Sequence, residues 1–288
     1  MTLIKISVAL LLLFGASAFA DDKVLYVTHE PGRWHKYSDQ LAVFRELAIT
    51  AGWELNVASG SYDETLTFLA TPDFGMGHDA IVYNFCFASS RDLDAMTNLI
   101  RQTTDNGIPA FLIHCSMHSW WDTFKKGVSI PGNEYGKARA NKRLLKTWQK
   151  EHPDQSLPAW GDFTGIASTG HGWQKPIALT LLVENHPTTA RIPDGYETAA
   201  TELYNNHYIS ADTVALVRGA QGKSESVVMW LSPRGKSQII GLTLGHADPE
   251  WEDPVFHMLL VDSINFLMGR SPPDRTTVEP NTAISTDH

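Results

Sequence analysis

Short apolar runs alternating with amphipathic stretches constrain this chain more than anything else in it. Residues 24–27 (Val-Leu-Tyr-Val), 55–57, 80–83 (Ala-Ile-Val-Tyr) and 109–113 (Pro-Ala-Phe-Leu-Ile) are too short for helices and are bounded by polar or turn residues. That is the pattern of parallel strands buried on both faces. Residues 37–51 carry Leu41, Phe44, Leu47 and Ala48 at helical spacing and stop at Gly52. Residues 90–102 carry Leu93, Met96, Leu99 and Ile100, with Ser90 placed as N-cap and Asp92 and Asp94 near the positive end of the helix dipole. Three βα units in succession predict a parallel sheet covered on both faces, with right-handed crossovers.

The second half is rich in strand pattern. Residues 177–183, 213–217, 227–231 and 238–244 read as strands, with Pro233-Arg-Gly235 as the turn between the last two. Asp253-Pro254 then opens a helix, aspartate as cap and proline in the first turn, whose buried face is Leu260, Val261, Ile264, Leu267 and Met268.

The first twenty residues follow a different logic. Met1 to Ala20 contains one charge, Lys5, then an apolar block, then Ala18-Phe-Ala20 before Asp21. This is the layout of a cleaved signal peptide, and the block is shorter than the roughly 20 residues a membrane span needs. The expectation is a periplasmic or secreted protein without a membrane anchor after cleavage; no cysteine follows the small residues to carry a lipid. Cleavage removes one of 23 basic residues and none of the 32 acidic ones, leaving an acidic chain that does not attract nucleic acid. Residues 21–270 show no linker and read as one domain. The stretch 271–288, with prolines, threonines and charges but no apolar periodicity, reads as a disordered tail.

Candidate chemistry gathers where strands end. His114-Cys-Ser-Met-His118 follows the run 109–113 directly, and in open α/β sheets ligands collect outside the carboxyl ends of the strands. Gly245-His246 follows the apolar run 239–244 in the same way. His35 and Asn84 lie after or near the ends of the first and third strands. The two cysteines, Cys86 and Cys115, each close a strand; adjacent parallel strands offer poor disulfide geometry, so buried thiols are expected rather than a bridge.

The order of these motifs resembles the ThuA-like family, the trehalose-utilisation proteins. It runs from Trp34-His35-Lys-Tyr-Ser38 after the first strand through His114-x-x-x-His118, His186-Pro187, Glu202-Leu-Tyr204 and Gly245-His246 to a closing helix. The resemblance implies a flavodoxin-like three-layer α/β/α sandwich with a mostly parallel central sheet, like class I glutamine amidotransferases. It implies a carbohydrate as partner, trehalose or a related or 3-keto glycoside, and makes Glu202 a site residue. The stretch 126–171 is longer and more polar than the resemblance leads one to expect. Its part 137–150 reads as a basic surface helix with Leu144, Leu145 and Trp148 inward, a lid or a homo-oligomer contact.

Two chemistries compete for these residues. Three imidazoles and a carboxylate, His114, His118, His246 and Glu202, are the ligand set of a catalytic divalent metal such as zinc, or Glu202 is left free as a general base. The same four are the candidate catalytic residues of a hydrolase or isomerase, with His35, Asn84, Trp120 and Trp251 binding substrate. A cysteine nucleophile at Cys115 is the lesser reading, because the Gly-x-Cys-x-Gly flanks of an amidotransferase elbow are missing. A non-catalytic sugar-binding protein, stacking sugars on Trp120, Trp121, Trp160, Trp173 and Trp251, is the reading from a different class. His171, between glycines, is undecided, and His186 reads as a turn element.

Overall fold

The computed structural model describes residues 22–120, 128–129, 139–140 and 142–270. The expected signal peptide, the tail 271–288 and Trp121 therefore lie outside the described residues. The first half alternates β1 (Lys23–His29), α1 (Tyr37–Ala51), β2 (Glu54–Gly60), α2 (Tyr62–Leu69), β3 (Ala80–Tyr83), α3 (Leu93–Thr104) and β4 (Ala110–Ile113). A 3-10 turn (His114–His118) follows, then a two-residue ladder of β5 (Val128–Ser129) and β6 (Arg139–Ala140), then α4 (Lys142–Glu151) and α5 (Trp160–Thr164). The second half runs β7 (Ile166–His171), β8 (Ala178–Leu181), β9 (Tyr204–Ile209), β10 (Val214–Gln221), β11 (Ser224–Arg234), β12 (Ser237–Leu242), α6 (Asp248–Trp251) and α7 (Pro254–Leu267).

One eight-stranded sheet has the order β2-β1-β3-β4-β12-β11-β10-β8. The pairings from β2 to β12 are parallel and those from β12 to β8 antiparallel. The start of that order, 2-1-3-4, is flavodoxin-like, with its switch point between β1 and β3. Strand alternation then sorts the core. Val24, Tyr26, Val82, Phe111, Ile113, Ile240 and Leu242 face α1 and α7, while Leu25, Val27, Ile81, Tyr83, Leu112 and Ile239 face α2 and α3. The sandwich and its sheet are as the sequence implies.

Two local expectations are corrected, and one cap was not expected at all. Asp92, not Ser90, caps α3, accepting from Ala95 N–H at 2.9 Å, while the Ser90 hydroxyl braces the cap by accepting from Asp92 N–H at 3.2 Å. The strand β11 continues through Pro233 and Arg234, so the hairpin turns only at Gly235, whose φ is +57°. The helix α2 carries a capping box that sequence reading passed over: Ser61 and Glu64 exchange bonds at 3.3 and 2.8 Å.

The cysteines also depart from expectation, because Cys86 and Cys115 form a disulfide. Neither residue lies in a strand: both sit in the turns just past β3 and β4, where the chain has left the sheet and the two Cα atoms come to 5.1 Å. That separation is within the usual disulfide range, whereas the argument from parallel strands applied only inside the sheet.

In the long stretch 126–171, α4 begins at Lys142. Leu145 and Trp148 are buried in a small cluster with Ala140, Leu157 and Ala159, and Leu144 packs against it. Among the described residues, no helix is long and apolar enough to cross a membrane.

Gly241 shows how tightly β12 is held. A Cβ there would fall 2.1 Å from the Trp230 ring, which is itself tied by its Nε1–H to the Thr164 carbonyl at 2.7 Å. Gly241→Ala is expected to cost roughly 1–3 kcal/mol, lowering the melting temperature by several degrees. Thermal denaturation checks this, and an unchanged midpoint would mean the Trp230 ring moves aside freely.

Candidate functional site

Four parallel strands release their chains on one edge of the sheet, and each exit delivers a polar residue to one cavity of about 610 Å³. His35 comes from the loop after β1, Cys86 from that after β3, His114 from the first residue past β4, and His246 from the loop after β12. The opposite wall is His171, Glu202 and Tyr204. Residues two apart in an extended segment share a side, so Glu202 and Tyr204 face the cavity together while Leu203 between them enters the core.

His114 is the elbow between β4 and the 3-10 turn. Its φ of +45° lies in the left-handed region that a non-glycine residue rarely adopts, a strain of order 1–3 kcal/mol that clusters at functional sites. Its Nδ1–H donates to the Thr243 carbonyl at 2.7 Å, which leaves the Nε2 lone pair facing the cavity. There Nε2 lies 3.2 Å from the Tyr204 hydroxyl, which donates to it, and 3.1 Å from His246 Nδ1. His35 is set in the same way: its Nδ1–H donates to the His246 carbonyl at 3.4 Å.

Burial decides the protonation of this wall. Desolvation lowers His35 to about 4 and His118 to about 3, in each case reinforced by neighbouring histidine charge. Desolvation, then the charges of His35 and His246, puts His114 well below its ordinary value, and His246 is lowered by desolvation and His171. These imidazoles are neutral at pH 7. Glu202 moves the other way, its carboxyl raised by desolvation, which outweighs the opposing pull of His171. Its oxygens approach His246 Nδ1 at 3.3 Å, His171 Nδ1 at 3.4 Å and His114 Nε2 at 3.7 Å. With His114 and His246 neutral, their contacts are polar contacts of a half-desolvated carboxylate, poised to take a proton, rather than full ion pairs.

The His246 loop is built from below. Gly245 has a φ of +106°, and a Cβ there would meet Phe256 at 2.9 Å, so only glycine fits the turn. The buried Glu250 carboxylate accepts from Gly245 N–H at 3.0 Å and Ala247 N–H at 3.1 Å. On the open side Gln174 Nε2 lies 2.7 Å from His246 Nε2.

The structure separates the residues singled out in the sequence. His35, His114, His118, Glu202 and His246 all line the cavity. His118, however, is turned away from the other imidazoles: its Nε2 bonds the Ser168 hydroxyl, and its ring stacks on Tyr204 at 4.2 Å. The reason is the 3-10 geometry, in which residues four apart are rotated by roughly 120° instead of sharing a face. The three histidines whose ring nitrogens converge are His35, His114 and His246, so His35 stands where His118 was expected.

Asn84, Trp120 and Trp251 do not line the cavity. Asn84 is buried against Tyr26 and Gln40, donating at 2.7 and 2.8 Å. Trp120 is fully buried against Trp160, its Nε1–H on the Asp92 carbonyl at 2.8 Å. Trp251 supports the His246 loop through a bond from Nε1–H to the Gly245 carbonyl at 3.0 Å. Of the expected stacking tryptophans, Trp160 is thus also core, and Trp173 is exposed beside Gln174. Cys115 is bridged and carries no thiolate. His186 bonds Thr188 in a turn away from the cavity.

Sequence reasoning missed Tyr204, Gln174 and Trp34 as cavity residues. For Tyr204 the signal was present, since Glu202 and Tyr204 are spaced as same-side neighbours. Gln174 carries no such signal.

No family model and no curated protein matches the sequence. Among solved structures, the chain is similar to a protein named as ThuA-like from Parabacteroides merdae, with TM-score 0.61 and 16% identity over 91% of this chain and 94% of that one. A protein named as ThuA-like from Bacteroides uniformis aligns with TM-score 0.59 and 17% identity over 88% and 94%. The β-galactosidase of Rahnella sp. R3 aligns at TM-score 0.50 and 10% identity over 88% of this chain but 32% of its own, so only part of that enzyme shares the architecture. At these identities the likeness is one of architecture, and with cavity and sheet edge placed as described, the chain has the ThuA-like fold.

Proposed function

We propose that the protein is an exported, ThuA-like carbohydrate-processing enzyme, hydrolysing or isomerising trehalose or a related glycoside, in its parent or 3-keto form. The observation that carries this reading is Glu202: a carboxylate raised by burial, within 3.3–3.7 Å of three imidazoles, in a cavity large enough for a disaccharide. Glu202 removes a proton, from water in hydrolysis or from the carbon beside a keto group in isomerisation. Tyr204 and His171 supply polar groups on the same wall. Trp34, 67% exposed at the mouth with the Arg33 guanidinium 4.8 Å over its ring, offers an apolar face to a pyranose. The leader-like first twenty residues and the disulfide are both at home in an oxidising periplasmic or extracellular space.

The test is an assay of the mature protein against disaccharides and their 3-keto forms, with products followed by NMR. Trp34→Ala is expected to raise KM roughly tenfold, about 1.4 kcal/mol of lost stacking, with kcat little changed. Saturable sugar binding without turnover would favour the sugar-binding protein instead. Neither binding nor turnover by folded protein would sink both.

A further inference from the structure

The three converging histidines form a figure with its own geometric signature. The ring centroids of His35, His114 and His246 are 5.0, 4.9 and 5.1 Å apart, an almost equilateral triangle. The rings are steeply inclined to one another, at 80°, 79° and 69°. Packing accounts for pairs of stacked or edge-on rings, whereas here three mutually inclined rings each also bring one nitrogen to within 4.8 Å of the other two.

A metal ion gives a reason for that. With a metal–nitrogen distance of 2.0–2.1 Å, three imidazoles on a tetrahedral ion have ring centroids roughly 5.2 Å apart and ligating nitrogens about 3.4 Å apart. His114 Nε2 and His246 Nδ1 are 3.1 Å apart, and one nitrogen from each of the three rings lies within 4.8 Å of the others. We propose that His35, His114 and His246 bind one divalent transition-metal ion of the zinc class, facing the cavity.

The surroundings are those of a ligand set. His35 and His114 each spend Nδ1–H on a backbone carbonyl, of His246 and Thr243 respectively, which fixes the tautomer with Nε2 unprotonated, the nitrogen that in His114 accepts from the Tyr204 hydroxyl. Metal-ligating histidines have this kind of outer partner. His246 meets the Gln174 amide through Nε2, and that amide can present nitrogen or, turned over, oxygen, so the ring can carry its proton on Nε2 and leave Nδ1 for the metal. A wall of imidazoles without thiolates suits zinc, copper, iron or nickel rather than calcium or magnesium. His118 is outside the set because its Nε2 is committed to Ser168, and Glu202 stands beside the set, outside the converging group. The ion would supply a Lewis acid next to that carboxylate.

This proposal does not depend on the carbohydrate reading, and its test uses metal binding alone. Untagged full-length mature protein is stripped with chelator, then titrated with zinc, and separately with cobalt followed by its visible absorption. One equivalent per chain is expected, with cobalt bands of a low-coordinate nitrogen site. His35→Ala, His114→Ala and His246→Ala should each weaken zinc at least 100-fold, whereas His118→Ala and Glu202→Gln should change it less than about tenfold. Because an alanine variant can fail to fold, His35→Gln is measured alongside, with circular dichroism on every variant, and copper bound to the wild type is examined by electron paramagnetic resonance for nitrogen coupling. Absence of stoichiometric metal, a loss with His118→Ala as large as with His35→Ala, or binding indifferent to all three histidines would each overturn the assignment.

Discussion

Glu202→Gln is expected to lower kcat of the sugar reaction by roughly 10²–10⁴ while leaving KM within a few fold. The substitution keeps the shape of the side chain and its polar contacts with His171 and His246, and removes only the capacity to take a proton. That makes it a sharper probe than alanine, which would also open space beside His114. Its partner experiment is Tyr204→Phe, which removes the hydroxyl donating to His114 Nε2 at 3.2 Å but keeps the ring on which His118 stacks. A smaller kcat loss is expected there, about tenfold, because His246 Nδ1 still lies beside the same nitrogen. Wild-type turnover in Glu202→Gln would remove the carboxylate from the chemistry and leave the cavity as a binding site.

The fold was legible because its signals are local. Apolar runs of four or five residues such as Ala110–Ile113 can be buried only as central strands, and alternation in β1 and β4 settles which side chains meet which helices. The Asp253 cap of α7, accepting from Val255 N–H at 2.7 Å, was readable for the same reason. The site was legible at His114 and His246 because both come shortly after apolar runs that form strands, His114 directly past β4 and His246 in the loop after β12. It was not legible at His118, where the outcome turned on whether five residues coil as 3-10 or α, a difference no side chain in that run announces. Tryptophan was equally silent: Trp120 and Trp34 look alike in sequence, yet one finds the Asp92 carbonyl and Trp160 and the other finds water. The disulfide was missed because strand geometry was extended past the ends of β3 at Tyr83 and β4 at Ile113, into the turns that hold Cys86 and Cys115.

Acidification is expected to destabilise the protein with a slope steeper than one titrating histidine can give, and the sign follows from the burial of the cavity wall. Well above pH 6.5 His35, His114 and His118 are neutral in both the folded and the unfolded chain and add nothing to the pH dependence. Below it, the unfolded chain takes up protons that His114, His35, held to about 4, and His118, held to about 3, refuse while folded. Stability therefore falls as pH drops below 6.5, by up to roughly 1.4 kcal/mol per pH unit for each histidine, and keeps falling until the folded values are reached. Glu250, Glu202 and Asp262 oppose this: their folded carboxyls are raised, mainly by desolvation, so the stability they withhold at neutral pH returns as pH falls through their folded values. His246, His29 and His186 are lowered by desolvation as well, so the lowered histidines outnumber the raised carboxylates and leave a net loss. Urea denaturation between pH 7.5 and 5.0, in chelator so that no metal competes for the rings, should show more than one proton taken up on unfolding near pH 5. His118→Asn, which keeps a polar side chain beside Ser168 but does not titrate, should reduce that uptake by close to one proton. A stability that stays level from pH 7 to 5, with no difference between the wild type and His118→Asn, would mean these rings take up protons in the folded protein as readily as in the unfolded chain, and the neutral wall beside the Glu202 base would be lost.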